Sequence, residues 1–139
     1  MKRSKENVMF RGRYLGILFM VIVQLIVGLI HLFFGLALIS GNFSFSSYST
    51  TMIYSVYTLV YGFLTVVFTY LVWKGNRMGW IGTVAISTFV IIVDSLAVLS
   101  LSNILSIPAP KFAAIGEIPF SILVIIYILQ NHIRSIYNI

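Results

Sequence analysis

Three titratable side chains stand inside otherwise apolar stretches of this chain: His31, Asp94 and Glu117. An ionisable group in hydrocarbon is costly, so each of them needs a partner or a use. Two carboxyls held close in a low-dielectric site tend to share one proton, whereas a neighbouring imidazolium favours the ionised form. Together the three could bind a proton or a cation, or hold a small polar solute. One histidine and two carboxylates also match the ligand types of a facial metal triad. No HxxxH, HExxH or ExxH spacing supports that version, so no metal and no cofactor is expected. A haem between two histidines is disfavoured as well, because His132 belongs at the membrane face opposite to His31. The structural alternative is that Asp94 and His31 pair to fix helix register, while Glu117 reaches the outer interface and stays solvated.

Helical spacing puts these groups among polar neighbours. Gln24, Gly28, His31 and Gly35 fall on one stripe of a first helix, and Thr83, Ser87 and Asp94 on one stripe of a third. On a second helix Tyr54, Tyr57, Tyr61 and Thr65 form a hydroxyl-bearing stripe, with Thr58 beside it. On a fourth, Pro119 lacks an amide donor and frees the carbonyl of Ile115, close to Glu117. At 1.5 Å per residue, His31 lies about 25 Å from Tyr14, Asp94 about 21 Å from Trp80, and Glu117 about 18 Å from Leu129. All three then share one level in the outer half of a bilayer. The candidate ion, proton or ligand site is His31, Asp94 and Glu117, with Tyr57 and Tyr61 on its wall.

The elements that must position this site are membrane helices. The chain has 139 residues, 60% hydrophobic and only 9% charged. Ordinary soluble domains carry about 25% charged residues, so too little charge is present to cover a surface in water. Apolar runs at 14–39, 53–73 and 80–101 each exceed the roughly 20 residues that cross a hydrocarbon core as a helix. They do not alternate, which excludes barrel strands. The fourth run, Ile118 to Leu129, is too short to span. Its helix must reach back through Glu117 to Phe112 or Lys111, giving a span at 112–130, with Ser106 as a cap and Pro108 in a first turn. Otherwise the segment is re-entrant, or it draws Gln130, Asn131 and His132 into the membrane. The first run is too long for a signal peptide and lacks a small-residue cleavage site, so it reads as a retained span. The expected fold is an all-α integral membrane protein. It is a single domain over 1–139, a four-helix up-down-up-down bundle with short loops behind a basic tail at 1–13.

Charge placement sets orientation. Lys2, Arg3, Lys5, Arg11 and Arg13 lie in the tail, and Lys74 and Arg77 between the second and third runs. Arg134 follows the fourth run, and only Lys111 lies on the other side. The positive-inside rule then places both termini in the cytoplasm of a multi-pass cell-membrane protein. These cations read as anchors to the anionic headgroups of the bilayer, not as a nucleic-acid surface. Gly12 with Gly16, and Gly28 with Gly35, are small-residue spacings that let another helix backbone approach. No cysteine is present, which excludes disulfides and thiolate chemistry, and no nucleophile motif appears, so no enzyme is expected. Two functions remain. One is a structural or accessory subunit associating with itself or with a larger membrane complex. The other is a small proton- or cation-linked carrier or channel using the His31, Asp94 and Glu117 site.

Overall fold

The computed structural model describes residues 9–10, 13–41, 52–99 and 111–139. A two-residue antiparallel ladder, β1 (Met9–Phe10) with β2 (Arg13–Tyr14), leads into α1 (Leu15–Ile39). Then come α2 (Met52–Trp73), α3 (Arg77–Val98) and α4 (Lys111–Ile128). The chain ends in a short helix, α5 (Asn131–Arg134), and a 3-10 turn over Ser135–Tyr137. Three of the helices are long and apolar enough to cross a membrane, and a fourth span is completed if the bent pair Ala113–Ile128 and Asn131–Tyr137 counts as one.

The distribution of polarity is the reverse of that in a soluble protein. Phe19, Phe33, Ile115 and Leu123 stand outward, at 71%, 79%, 66% and 65% exposure. Buried within are Gln24, Ser55, Thr58, Thr65, Thr69, Thr83, Ser87, Asp94 and Ser121. So broad an apolar exterior on helices of this length suits lipid or an apolar partner, not water. Inside hydrocarbon, association of helices depends on close packing and on polar contacts between them.

Glycines bring α1 and α2 into close contact. A Cβ built on Gly62 would lie 2.6 Å from the amide nitrogen of Leu32 and 2.8 Å from the carbonyl oxygen of Gly28. One on Gly35 would lie 2.8 Å from the amide nitrogen of Leu59. Thus α1 and α2 touch backbone to backbone, and their contacts run in reverse order along the two chains. The buried face of α1 is Ile17, Met20, Gln24, Gly28, Gly35 and Leu38, recurring every three or four residues. The expected stripe through His31 is part of it. Gly12, the other half of the expected glycine spacing near the start of α1, lies outside the described residues.

The turn from α2 to α3 needs only Lys74, Gly75 and Asn76. Gly75 takes φ of 74°, which its missing Cβ permits. The Asn76 side chain then accepts a hydrogen bond from the amide of Met78 at 2.8 Å and caps α3. This cap starts α3 at Arg77, three residues before the expected Trp80, and the helix closes at Val98, short of the expected Leu101. As expected, α4 reaches back through Glu117 to Lys111. The expected cap Ser106 and Pro108 lie outside the described residues.

At its far end α4 departs from the expectation of a helix continuing to residue 130. It stops at Ile128, and the chain turns by 70° into Asn131–Tyr137. Ile133 and Tyr137 come to lie against Ile17, Met20, Val72, Val124 and Ile128, all deeply buried. The Tyr137 hydroxyl donates to the Val72 carbonyl at 3.1 Å, and the Trp80 indole donates to the Ile128 carbonyl at 2.9 Å. The last residues thus form an apolar plug under the end of the bundle that holds the start of α1, the α2–α3 turn and the C-terminus. This is the terminal end; His31, Asp94 and Glu117 stand in the opposite half of the bundle.

Candidate functional site

His31 stands on the interior stripe of α1, between the close-packed Gly28 and Gly35. Its Nδ1 lies 2.8 Å from the carbonyl oxygen of Val27, one turn back. A carbonyl only accepts, so Nδ1 carries a hydrogen and donates it. Its Nε2 lies 3.1 Å from Glu117 Oε1 on α4. With Nδ1 committed, this contact requires one proton between nitrogen and oxygen. The proton sits on Nε2, giving imidazolium and carboxylate, or on the oxygen, giving neutral imidazole and carboxylic acid. Without it two lone pairs would face each other. The two states need no change in heavy-atom positions, so the pair is a one-proton site. Its side chains retain 20% and 22% exposure.

Asp94 is the deeper group, with 2% exposure. Its carboxyl is near enough to Glu117 and His31 for the charges of both to act on it. Its Oδ2 has no hydrogen-bond partner among the described residues. The three expected groups therefore do come together, but the pairing differs from the expected structural one. His31 bonds Glu117, not Asp94, and Glu117 turns into the bundle rather than out to an interface. The cause is helix order: α4 lies beside both α1 and α3, so its carboxyl is the one within reach of the other two. Among the described residues, no three His, Asp or Glu side chains are arranged to hold a metal ion.

Aromatic rings wall the cluster. The Tyr61 ring meets the His31 ring edge-on, with centroids 4.8 Å apart and planes at 86°. Tyr57 lies parallel to Tyr61 at 6.4 Å, and its ring is 6.3 Å from that of Phe89. On their other side Tyr57 and Tyr61 line an apolar groove of about 460 Å³ between α2 and α3, with Val60, Ile86 and Phe89. A second apolar groove, about 450 Å³, runs between α1 and α2 along Val21, Leu25 and Val66. Neither groove is lined by His31, Asp94 or Glu117, so the tyrosine rings separate the cluster from the lipid-facing groove.

The buried stripe of α2 is rotated from the one expected. Ser55, Thr58, Tyr61, Thr65 and Thr69 point inward, while Tyr54 and Tyr57 are only half-buried. Ser55, Thr69 and Gly62 were not among the expected site and packing residues. Their spacing of three, four and seven residues was the available signal, masked by the larger tyrosines. Of the expected basic anchors, Lys2, Arg3, Lys5 and Arg11 lie outside the described residues, and Arg13 belongs to β2. Lys74 and Arg77 are exposed at the terminal end, with the Lys74 Nζ 5.5 Å from the centre of the Tyr70 ring. His132 is at the same end, its ring edge-on to Tyr14 at 5.3 Å, far from His31.

Compared with protein-family models, curated proteins and solved structures, the chain matches none.

Proposed function

We propose that this chain is a multi-pass protein of the cell membrane that binds and releases protons at His31, Asp94 and Glu117, as a small proton- or cation-linked carrier or channel. In this reading four spans run up-down-up-down and both termini face the cytoplasm. The positive-inside rule supports that orientation: the ends of the chain and the Lys74–Asn76 turn with Arg77 hold eight of the nine Lys and Arg residues. One observation carries the functional reading: the His31–Glu117 contact needs a single exchangeable proton, and the buried Asp94, one of whose oxygens has no partner among the described residues, is near enough for the charges of both to act on it. Such a group in hydrocarbon marks a proton or ion pathway more often than a packing device.

The test is proton flux into proteoliposomes loaded with a pH-sensitive dye, driven by a potassium diffusion potential. The wild-type chain should carry protons. Asp94→Asn should cut the flux at least tenfold while the protein inserts and elutes as before. Equal flux in wild type and variant would sink the reading.

A structural or accessory subunit is the second reading, favoured by the apolar character of both grooves and by the tie that His31–Glu117 makes between α1 and α4. It predicts no flux in the wild type. It also predicts a fall in thermal stability for Glu117→Gln, partly restored when His31→Gln is added.

A further inference from the structure

A proton site near the outer end of the bundle needs a route to the other side, and the interior between the site and the plug is not apolar. Gln24, Thr69 and Thr83 are buried, at 6%, 2% and 2% exposure. The side-chain oxygens Gln24 Oε1, Thr69 Oγ1 and Thr83 Oγ1 have no hydrogen-bond partner among the described residues.

The three residues share a level. Gly82 packs against Phe68, which brings Thr83 beside Thr69 along the two helices. Gly28 packs against Gly62 and Val66, so Gln24, one turn nearer the terminal end, comes level with Thr69. Thr83 lies eleven residues from Asp94 on one helix, about 16 Å along its axis at 1.5 Å per residue. Between the two levels stand the buried Thr65, whose Oγ1 is likewise unpartnered, and the buried Ser87.

A lipid-facing threonine on the same helix behaves differently. The exposed Thr88 turns its hydroxyl back on the Val84 carbonyl at 2.8 Å. That back-bond is how a helical threonine meets its own needs where no other partner exists. Thr65, Thr69 and Thr83 do not make it. A buried hydroxyl left without a partner costs about 1–3 kcal/mol. Three such hydroxyls and an amide oxygen in one short column therefore call for a common partner. Water is the ligand that fits, since it both donates and accepts and is small enough for a helix interior.

We infer that Gln24, Thr69 and Thr83 form a second polar station that binds water and links the His31–Glu117–Asp94 cluster to the cytoplasmic end of the bundle, where the plug of Ile133 and Tyr137 closes it. The inference rests on the proposed proton-exchanging role of that cluster. The plug begins one turn beyond Thr69, at Val72, whose carbonyl accepts both the Gly75 amide at 2.9 Å and the Tyr137 hydroxyl. Release of Tyr137 and Ile133 would open the station to the cytoplasm without disturbing the titratable cluster.

The natural absence of cysteine makes the test direct. Thr83→Cys is placed in the chain, and its modification by a membrane-impermeant cationic methanethiosulfonate is timed from the cytoplasmic face of inside-out vesicles. Ala97→Cys, at a fully buried apolar position of the same helix beyond Asp94, is the dry control. Thr83→Cys should react slowly while the plug is intact. It should react at least tenfold faster when combined with Ile133→Ala, and severalfold faster with the milder Tyr137→Phe, while Ala97→Cys stays unreactive throughout. The inference is overturned if Thr83→Cys reacts no faster than Ala97→Cys in all three backgrounds. It is also overturned if Ala97→Cys accelerates to the same degree with Tyr137→Phe, because the whole bundle has then loosened. The readout is independent of flux. A reactive Thr83→Cys without proton flux would sink only the proton reading, and flux through a chain with an unreactive Thr83→Cys would sink only this inference.

Discussion

The two seams of α1 are built on opposite principles. Against α2 it is held by Gly28, Gly35 and Gly62, with backbone touching backbone and no room for one more carbon. Against α4 the backbones stay further apart, and side chains bridge the space: Tyr127 lies over Gly16, and His31 reaches Glu117. The first seam has one geometry, because displacement would forfeit dispersion contacts along its whole length. The second depends on the His31–Glu117 hydrogen bond and on the Tyr127 ring. Helix α1 is thus fixed on one side by backbone packing and bridged on the other by side chains alone.

The largest expected effect is on the rigid seam. Gly62→Leu places carbon where the Leu32 amide and the Gly28 carbonyl already stand. Overpacking of this kind should cost about 3 kcal/mol or more, seen as loss of the monodisperse species in detergent size-exclusion chromatography. A variant as stable as wild type would show that this seam yields as readily as the other. Next comes the plug that closes the bundle beneath both seams. Ile133→Ala empties a fully buried position and should lower stability by about 2–4 kcal/mol, measured by denaturant titration of the detergent-solubilised protein.

The adjustable seam should respond less. Glu117→Ala leaves His31 Nε2 without its partner, and the expected loss is about 1–3 kcal/mol, read as a lower melting temperature with helicity unchanged. A loss as large as that of Gly62→Leu would mean that the His31 contact, and not the glycine packing, holds α1 in place. The smallest effect belongs to the lipid face. Phe33→Leu changes a side chain at 79% exposure and should stay within about 0.5 kcal/mol of wild type. A larger change would indicate that this face packs against protein.

Much of this architecture is legible in the residues alone. Run length marks the spans, because a helix must cross a fixed thickness of hydrocarbon. The buried faces of α1 and α3 follow from period, since Gln24, Gly28 and Gly35, and Thr83, Ser87 and Asp94, are small or polar positions that recur on one stripe of each helix. The face of α2 is harder to read. Tyrosine is both aromatic and polar, so Tyr54 and Tyr57 suit an interface, a groove or a core equally well, and they obscured Ser55 and Thr69, which extend the buried stripe of Thr58 and Thr65. The meeting of His31, Asp94 and Glu117 at one depth also follows from counting residues along each helix.

The sequence by itself determined that the chain is built of helices long and apolar enough to cross a membrane, and how far along each helix its buried titratable groups stand. These are one-dimensional quantities, set by residue type and by a rise of about 1.5 Å per residue. Only the tertiary structure decided that Glu117 rather than Asp94 is the partner of His31, and that the last nine residues bend under the bundle to close it. Both depend on how the helices are ordered and rotated about one another. That arrangement is set by side-chain shape at the seams and by a turn at Leu129 and Gln130, neither of which has a periodic signature along the chain.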